Sequence, residues 1–147
     1  MILLADLHLK EETADLVAAV LDATLEAAQR HGDSDVAILG DLLTLRHVVP
    51  VKLMNLIGDA LSTGASQGIH WYLLAGNHDQ VDYRGRNALE CFGGAPYVDV
   101  YTDPAWNRHG LWVPHRYDAG AILESIRIPR AAGKEPGVLF AHQAIPP

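Results

Sequence analysis

Residues 69–79, Ile69-His70-Trp71-Tyr72-Leu73-Leu74-Ala75-Gly76-Asn77-His78-Asp79, pass from an aliphatic and aromatic run into glycine, amide, imidazole and carboxylate within four residues. A short apolar run closed by such a cluster reads as a buried strand that ends in a turn. Working outward, the same transition occurs at Leu4-Ala5-Asp6-Leu7-His8, at Leu39-Gly40-Asp41 and at Phe140-Ala141-His142. Between these strands lie stretches of helical period. Leu16, Val17, Val20, Leu21 and Leu25 predict an apolar helix stripe stopped by Gly32, and Val51 to Leu61 predict a second helix entered at Pro50 and left at Gly64 and Gly68. Strands alternating with helices are the α/β pattern, and in a parallel sheet the carboxyl ends of neighbouring strands open onto one crevice, where ligands bind.

The remaining segments fit this class. Val81 to Arg86 reads as loop, Asn87 to Phe92 as a short helix ended by Gly93-Gly94, and Val98-Asp99-Val100-Tyr101 and Gly110-Leu111-Trp112-Val113 as strands. Asp118 suits the N-cap of a helix through Ile122, Leu123 and Ile126, with Pro129 expected beyond its end, and Val138-Leu139-Phe140-Ala141 is the last strand. No internal repeat, low-complexity stretch or linker breaks the pattern, so residues 1–147 are expected to form a single domain. The sequence reaches Ile145-Pro146-Pro147 directly after a strand, which predicts a C-terminal truncation.

Composition narrows the classes. With 147 residues, 49% hydrophobic and 20% charged, the chain is not of the disordered type. Its one cysteine, Cys91, cannot form an internal disulfide; it is expected as a small buried hydrophobe in a reducing, cytoplasmic compartment. The N-terminus lacks a basic leader region, and Asp6 and His8 interrupt it far short of the roughly 20 apolar residues of a membrane span. A formal charge of −7 argues against broad electrostatic binding of a polyanion, but divalent cations held by the acidic groups would reverse the local sign.

The four polar clusters point to such cations. Carboxylates and imidazoles crowded at one edge repel or lose solvation unless a cation compensates them. Oxygen and nitrogen donors without thiolate suit Mn, Fe or Zn. Asp6, His8, Asp41, Asn77 and His142 are too many for one open catalytic ion but fit a pair about 3.5–4 Å apart. Asp41, on the central of the three N-terminal strands, is the expected bridge through its two oxygens. Asp6 and His8 are two apart, so an extended backbone would turn both to one side, and Gly40 and Gly76 permit close approach at the strand ends.

In this order, Asp6-x-His8, Gly40-Asp41, Gly76-Asn77-His78-Asp79 and the strand-end His142 resemble the calcineurin-like metallophosphoesterase superfamily across nearly the whole chain. The resemblance implies a four-layer sandwich, mixed β-sheets flanked by helices, in place of the doubly wound sheet that the pattern alone suggests. It implies that Asp6 and His8 hold one metal, that Asp41 bridges, that Asn77 and His142 hold the second, and that His78 contacts the phosphate or protonates the leaving group. Two ions activate water near neutral pH and stabilise a phosphoryl transition state, and an imidazole can protonate the leaving oxygen. Asp79 is expected to orient the His78 ring. Arg84 and Arg86 are candidates to clamp a phosphate, against the alternative of a solvated loop. His115, after Pro114, is expected to be structural rather than a ligand.

Within the superfamily, Gly40-Asp41-Leu42-Leu43-Thr44 followed by Pro50, and Leu111-Trp112-Val113-Pro114, are similar to the nuclease subunit of SbcCD-type DNA repair complexes and its phage relatives. That similarity implies a DNA phosphodiesterase with an SbcC-like ATPase as partner. The Ser/Thr phosphatase branch reads Gly-Asp-x-x-Asp-Arg-Gly, which Thr44 and Leu45 break; the nuclease branch often carries Asp or His where Thr44 stands. The family's further Gly-His-x-His motif does not follow His142, so each expected ion is one protein ligand short. Two other readings stay open: a non-catalytic interaction domain on the same scaffold, and a phosphoprotein or cyclic-nucleotide esterase. Oligomeric state has no signature in the sequence.

Overall fold

The computed structural model describes residues 1–44, 47–81, 87–131 and 137–143. Its first sheet holds β1 (Ile2–Leu4), β2 (Asp35–Leu39), β3 (His70–Leu74) and β4 (Val98–Tyr101), all parallel and in that spatial order. Helices α1 (Ala14–His31) and α2 (Val51–Ser66) make the first two crossovers. The second sheet holds β5 (Ala105–Asn107), β6 (Gly110–Val113) and β7 (Leu139–Ala141), with β5 antiparallel and β7 parallel to the central β6. This mixed pair of sheets replaces the doubly wound sheet of the periodicity argument and has the sandwich form that the resemblance implies.

Period-2 alternation explains the layering. Val36, Ile38, Trp71, Leu73 and Val98 share one buried cluster with Val17, Leu21 and Leu25 of α1 and Leu53, Ile57 and Leu61 of α2. The intervening Ala37, Tyr72 and Leu74 join Trp112 and Phe140 of the second sheet in another. Stacked rings hold that inter-sheet layer: Trp112 lies 4.2 Å from Phe140 and 4.7 Å from Tyr101, centroid to centroid. Each such pair contributes about 0.5–1.5 kcal/mol beyond its buried area. On the outer side of the second sheet, α3 (Ala119–Ala131) borders a cleft with Trp106 and Leu111.

Several local expectations need correction. The buried stripe of α1 is Ala14, Val17, Leu21, Thr24, Leu25 and Ala28, and Leu16 is 66% exposed because it falls about 100° around the helix from Val17. Gly64 does not end α2; it lies inside it, where a Cβ would overlap the Trp71 indole, and the exit is at Gly68 with φ 77°. Pro50 caps that helix rather than opening its first turn, and its carbonyl accepts from Leu53 and Met54. Pro129 lies within α3 rather than beyond its end. Cys91 is exposed on the short 3-10 helix Ala88–Phe92. Strand β5 had no sequence signal: it is three residues long, and its pairing is set by Asn107, whose Oδ1 accepts from His109 N and Trp112 Nε1. The segment 82–86, with Arg84 and Arg86, lies outside the described residues.

No described helix is long and apolar enough to cross a membrane.

Candidate metal centre

The register of the first sheet sets the site. Leu4 pairs with Ile38, and Leu39 with Leu74, so the segments leaving β1, β2 and β3 emerge side by side. The first two stay laced beyond the sheet: Asp6 N donates to Gly40 O at 3.1 Å, His8 N to Asp41 O at 2.9 Å and Leu9 N to Leu42 O at 2.8 Å. Asp6, His8 and Asp41 take φ values of 53°, 46° and 51°, a left-handed conformation that side chains other than glycine adopt at a cost. The approach of Asp6 and His8, 4.0 Å apart at Oδ1 and Nε2, thus comes from two left-handed residues and not from extended alternation. Left-handed backbone at three candidate ligands is strain of the kind that clusters at functional sites, although Tyr97, with φ 60°, shares it elsewhere.

Asp41 is the hub, with its side chain 4% exposed. The amide of His78 donates to Oδ1 at 2.9 Å, which leaves Oδ2 facing three imidazoles: His142 Nε2 at 3.5 Å, His8 Nε2 at 3.8 Å and His78 Nε2 at 4.0 Å. Of the two carboxylate oxygens, Oδ2 is the one that faces the imidazoles, whereas both were expected to serve a bridge. His142 turns Nδ1 to the Leu39 carbonyl at 2.8 Å, while Nε2 lies 3.3 Å from Asn77 Oδ1. Because a carbonyl only accepts, Nδ1 is placed to donate to Leu39 O, and Nε2 is the ring nitrogen turned toward Asn77 and Asp41. The His8 and His78 rings meet edge to face, 5.0 Å between centroids.

Two sets of donor atoms converge within 4.8 Å: His8, Asp41 and His78, and Asp6, Asp41 and His142. Asp41 belongs to both, so the donor set fits a pair of divalent ions sharing this carboxylate. The grouping differs from the one the resemblance implies, because His78 falls with His8, and Asp6 with His142. With Asn77 and Gln143 these residues line an open cleft of about 500 Å³ at the strand ends.

The glycines make room for this convergence. A Cβ on Gly40 would overlap the His142 ring, and one on Gly76 would overlap the Asp41 carboxylate and amide. Asp79 is fully buried beneath the cleft, where Oδ1 accepts from Leu43 N and Oδ2 from Gly76 N, each at 2.9 Å. Burial pushes its carboxyl above the usual range, against the pull of those amides, with the Asp41 charge adding to the rise. Its observed bonds tie the Asp41 segment to the Gly76 turn. It supports His78 through the backbone, where the sequence suggested a bond to the ring.

Sequence reasoning passed over Gln80 and Gln143. Gln80 Nε2 donates to His115 O at 2.8 Å, and Gln143 Nε2 to Pro114 O at 2.8 Å. Neither carries a motif, and only the position of Gln143 directly after His142 marked it. His115 itself sits against the site, and burial lowers its imidazole pKa.

Comparison with known proteins adds the following. The family model Metallophos, calcineurin-like phosphoesterase, matches residues 1–146. The crystal structure of the nuclease MPE of Pseudomonas putida is 23% identical, with a TM-score of 0.46, and the match covers 71% of this chain and 48% of that one. The chain thus matches about half the length of that nuclease. No curated protein matches it.

Proposed function

This chain belongs to the calcineurin-like phosphoesterase family, and on that premise we propose that it is a metal-dependent phosphodiesterase acting on DNA, with two Mn²⁺ ions shared at Asp41. The observation that carries the reading is the Asp41 carboxylate, 4% exposed, with Oδ2 within 4.0 Å of three imidazole nitrogens. A buried carboxylate ringed by imidazole nitrogens is a donor set that a divalent cation would hold together. His8 stands on one side of Asp41, and Asp6, Asn77 and His142 on the other.

Divalent ions, when bound, supply positive charge to the scissile phosphate and lower the pKa of water. The chain supplies position and a proton. Asp41 is held by the His78 amide, and the His142 ring by the Leu39 carbonyl, so neither needs to reorganise as substrate enters. His78, with about a third of its side chain exposed, is the general acid that protonates the leaving oxygen. Asp79 fixes the turn that carries it.

The segments 40–44 and 111–114, similar to the nuclease branch, favour a diester over a phosphoprotein; Thr44 departs from the residues common at its position in both branches. A net charge of −7 disfavours broad electrostatic binding of DNA by this chain, so a partner subunit of the SbcC-like ATPase kind belongs to this reading.

The test is Mn²⁺-dependent hydrolysis of bis-p-nitrophenyl phosphate by the wild type, Asp41→Ala and His78→Ala. Asp41→Ala should lose metal and activity together, whereas His78→Ala should keep metal and turn over about 10²–10⁴-fold more slowly. Equal metal loss in both variants would overturn the assigned roles.

A further inference from the structure

His115 follows Pro114 at the carboxyl end of β6 and is not one of the proposed ligands. Its contacts nevertheless join the two segments that carry Asn77 and His142. Its amide donates to Ala75 O at 2.9 Å, and its carbonyl accepts from Gln80 Nε2 at 2.8 Å, so it holds both ends of the 75–80 turn on which Asn77 and His78 sit. Its ring Nδ1 lies 3.3 Å from the carbonyl oxygen of His142. Since that oxygen only accepts, Nδ1 is the donor. The neighbouring backbone reinforces the junction: Gln143 Nε2 donates to Pro114 O at 2.8 Å and its Oε1 accepts from Arg116 N at 3.3 Å.

The other ring nitrogen separates positioning from packing. Nε2 is buried and has no hydrogen-bond partner among the described residues. An apolar side chain of similar volume would fill the same space without leaving a nitrogen unpaired. What it would lack is the Nδ1 donor to the residue whose ring faces Asn77. Asn77 and His142 come from different sheets, 65 positions apart in the chain, and their side chains meet at 3.3 Å.

We propose that His115 is a positioning residue that locks the turn bearing Asn77 to the backbone of His142, and so sets the affinity of the metal position these two residues share. This rests on the two-ion reading above. It makes one ion, and not the other, sensitive to a side chain that touches no metal.

The experiment is Mn²⁺ titration calorimetry with Mn²⁺ EPR on the 147-residue chain, comparing wild type, His115→Leu, His115→Asn and His115→Gln, with metal-free melting curves alongside. Asparagine places an amide donor where Nδ1 stands, and glutamine places it one methylene farther. The expected result is two ions in the wild type and one ion weakened about 10–100-fold in His115→Leu, the range for lost support of a ligand. Asparagine should restore the weakened ion and glutamine should not. Wild-type affinity for both ions in His115→Leu, or equal affinity in the asparagine and glutamine variants, would overturn the inference. That second comparison decides the matter if the leucine variant does not fold. Fewer than two ions in the wild type would overturn the two-ion reading and this inference with it.

Discussion

Replacing Gly40 with alanine separates the two halves of the candidate site. Gly40 has φ 92°, and the three atoms nearest a Cβ built there all belong to His142. The backbone conformation costs an L-residue about 1–2 kcal/mol. To regain ordinary carbon contact the His142 ring has to retreat by roughly 1 Å, which also breaks its bond to the Leu39 carbonyl at a cost of about 1 kcal/mol. Together these destabilise the fold by about 2–3 kcal/mol. A metal site tolerates about 0.2 Å of error in ligand distance, so the ion served by His142 should weaken by at least about 10–100-fold. His8 and His78 are not among the atoms displaced. Mn²⁺ titration calorimetry on Gly40→Ala should therefore show one ion near wild-type affinity and one much weaker, with a lowered melting temperature. Two ions bound as in the wild type, or both lost from a folded chain, would refute the reasoning.

Metal removal should be visible in stability: Mn²⁺ at about 100 times its Kd adds about 2.7 kcal/mol per ion, or some 5–10 °C in Tm, which EDTA should abolish. Gly64→Ala pushes a methyl into the Trp71 indole and should cost about 1–3 kcal/mol in urea unfolding with Mn²⁺ binding unchanged, since the clash lies on the helical side of the sheet. Far from the cleft, burial raises and the hydrogen bonds of Arg108, Tyr72 and Ser34 lower the carboxyl of Asp35, with the net direction downward. Its stabilisation is therefore complete above its ordinary pKa of 3.8 and lost as pH falls through the lower folded value, so Asp35→Asn should flatten the acid limb of the stability curve. Burial and the Asp35 bond push the Tyr72 phenol up to about 12 from 10.0. The folded state keeps that proton while the unfolded chain loses it, so stability should fall between pH 10 and about 12 in the wild type, and Tyr72→Phe should remove that fall.

Much of this architecture is written locally. An apolar run closed by glycine and polar residues suffices to end a strand, and repeating that transition at residues 4–8, 39–41, 74–79 and 140–142 was enough to propose one crevice and its ligands. Helix α1 and its Gly32 stop were legible for the same reason, because periodicity and a left-handed cap are properties of neighbouring residues. The second sheet was less legible. β5 is defined by its pairing with β6 and by the Asn107 side chain, and three residues are too few to show a period.

The site divides along the same line. The sequence by itself determined which residue types stand at the strand ends, and so the carboxylate, imidazole and amide donors and the glycines beside them. Only the tertiary structure decided that Asp6, His8 and Asp41 converge through left-handed backbone, that Oδ2 and not both oxygens of Asp41 faces the imidazoles, that Asp79 holds amides, and that His115 spans the two sheets. Those facts depend on atoms far apart in sequence, such as His142 Nδ1 and Leu39 O at a separation of 103 residues. A hydrogen bond between distant segments is set by how the sheets pack, and no local pattern of residues encodes that distance.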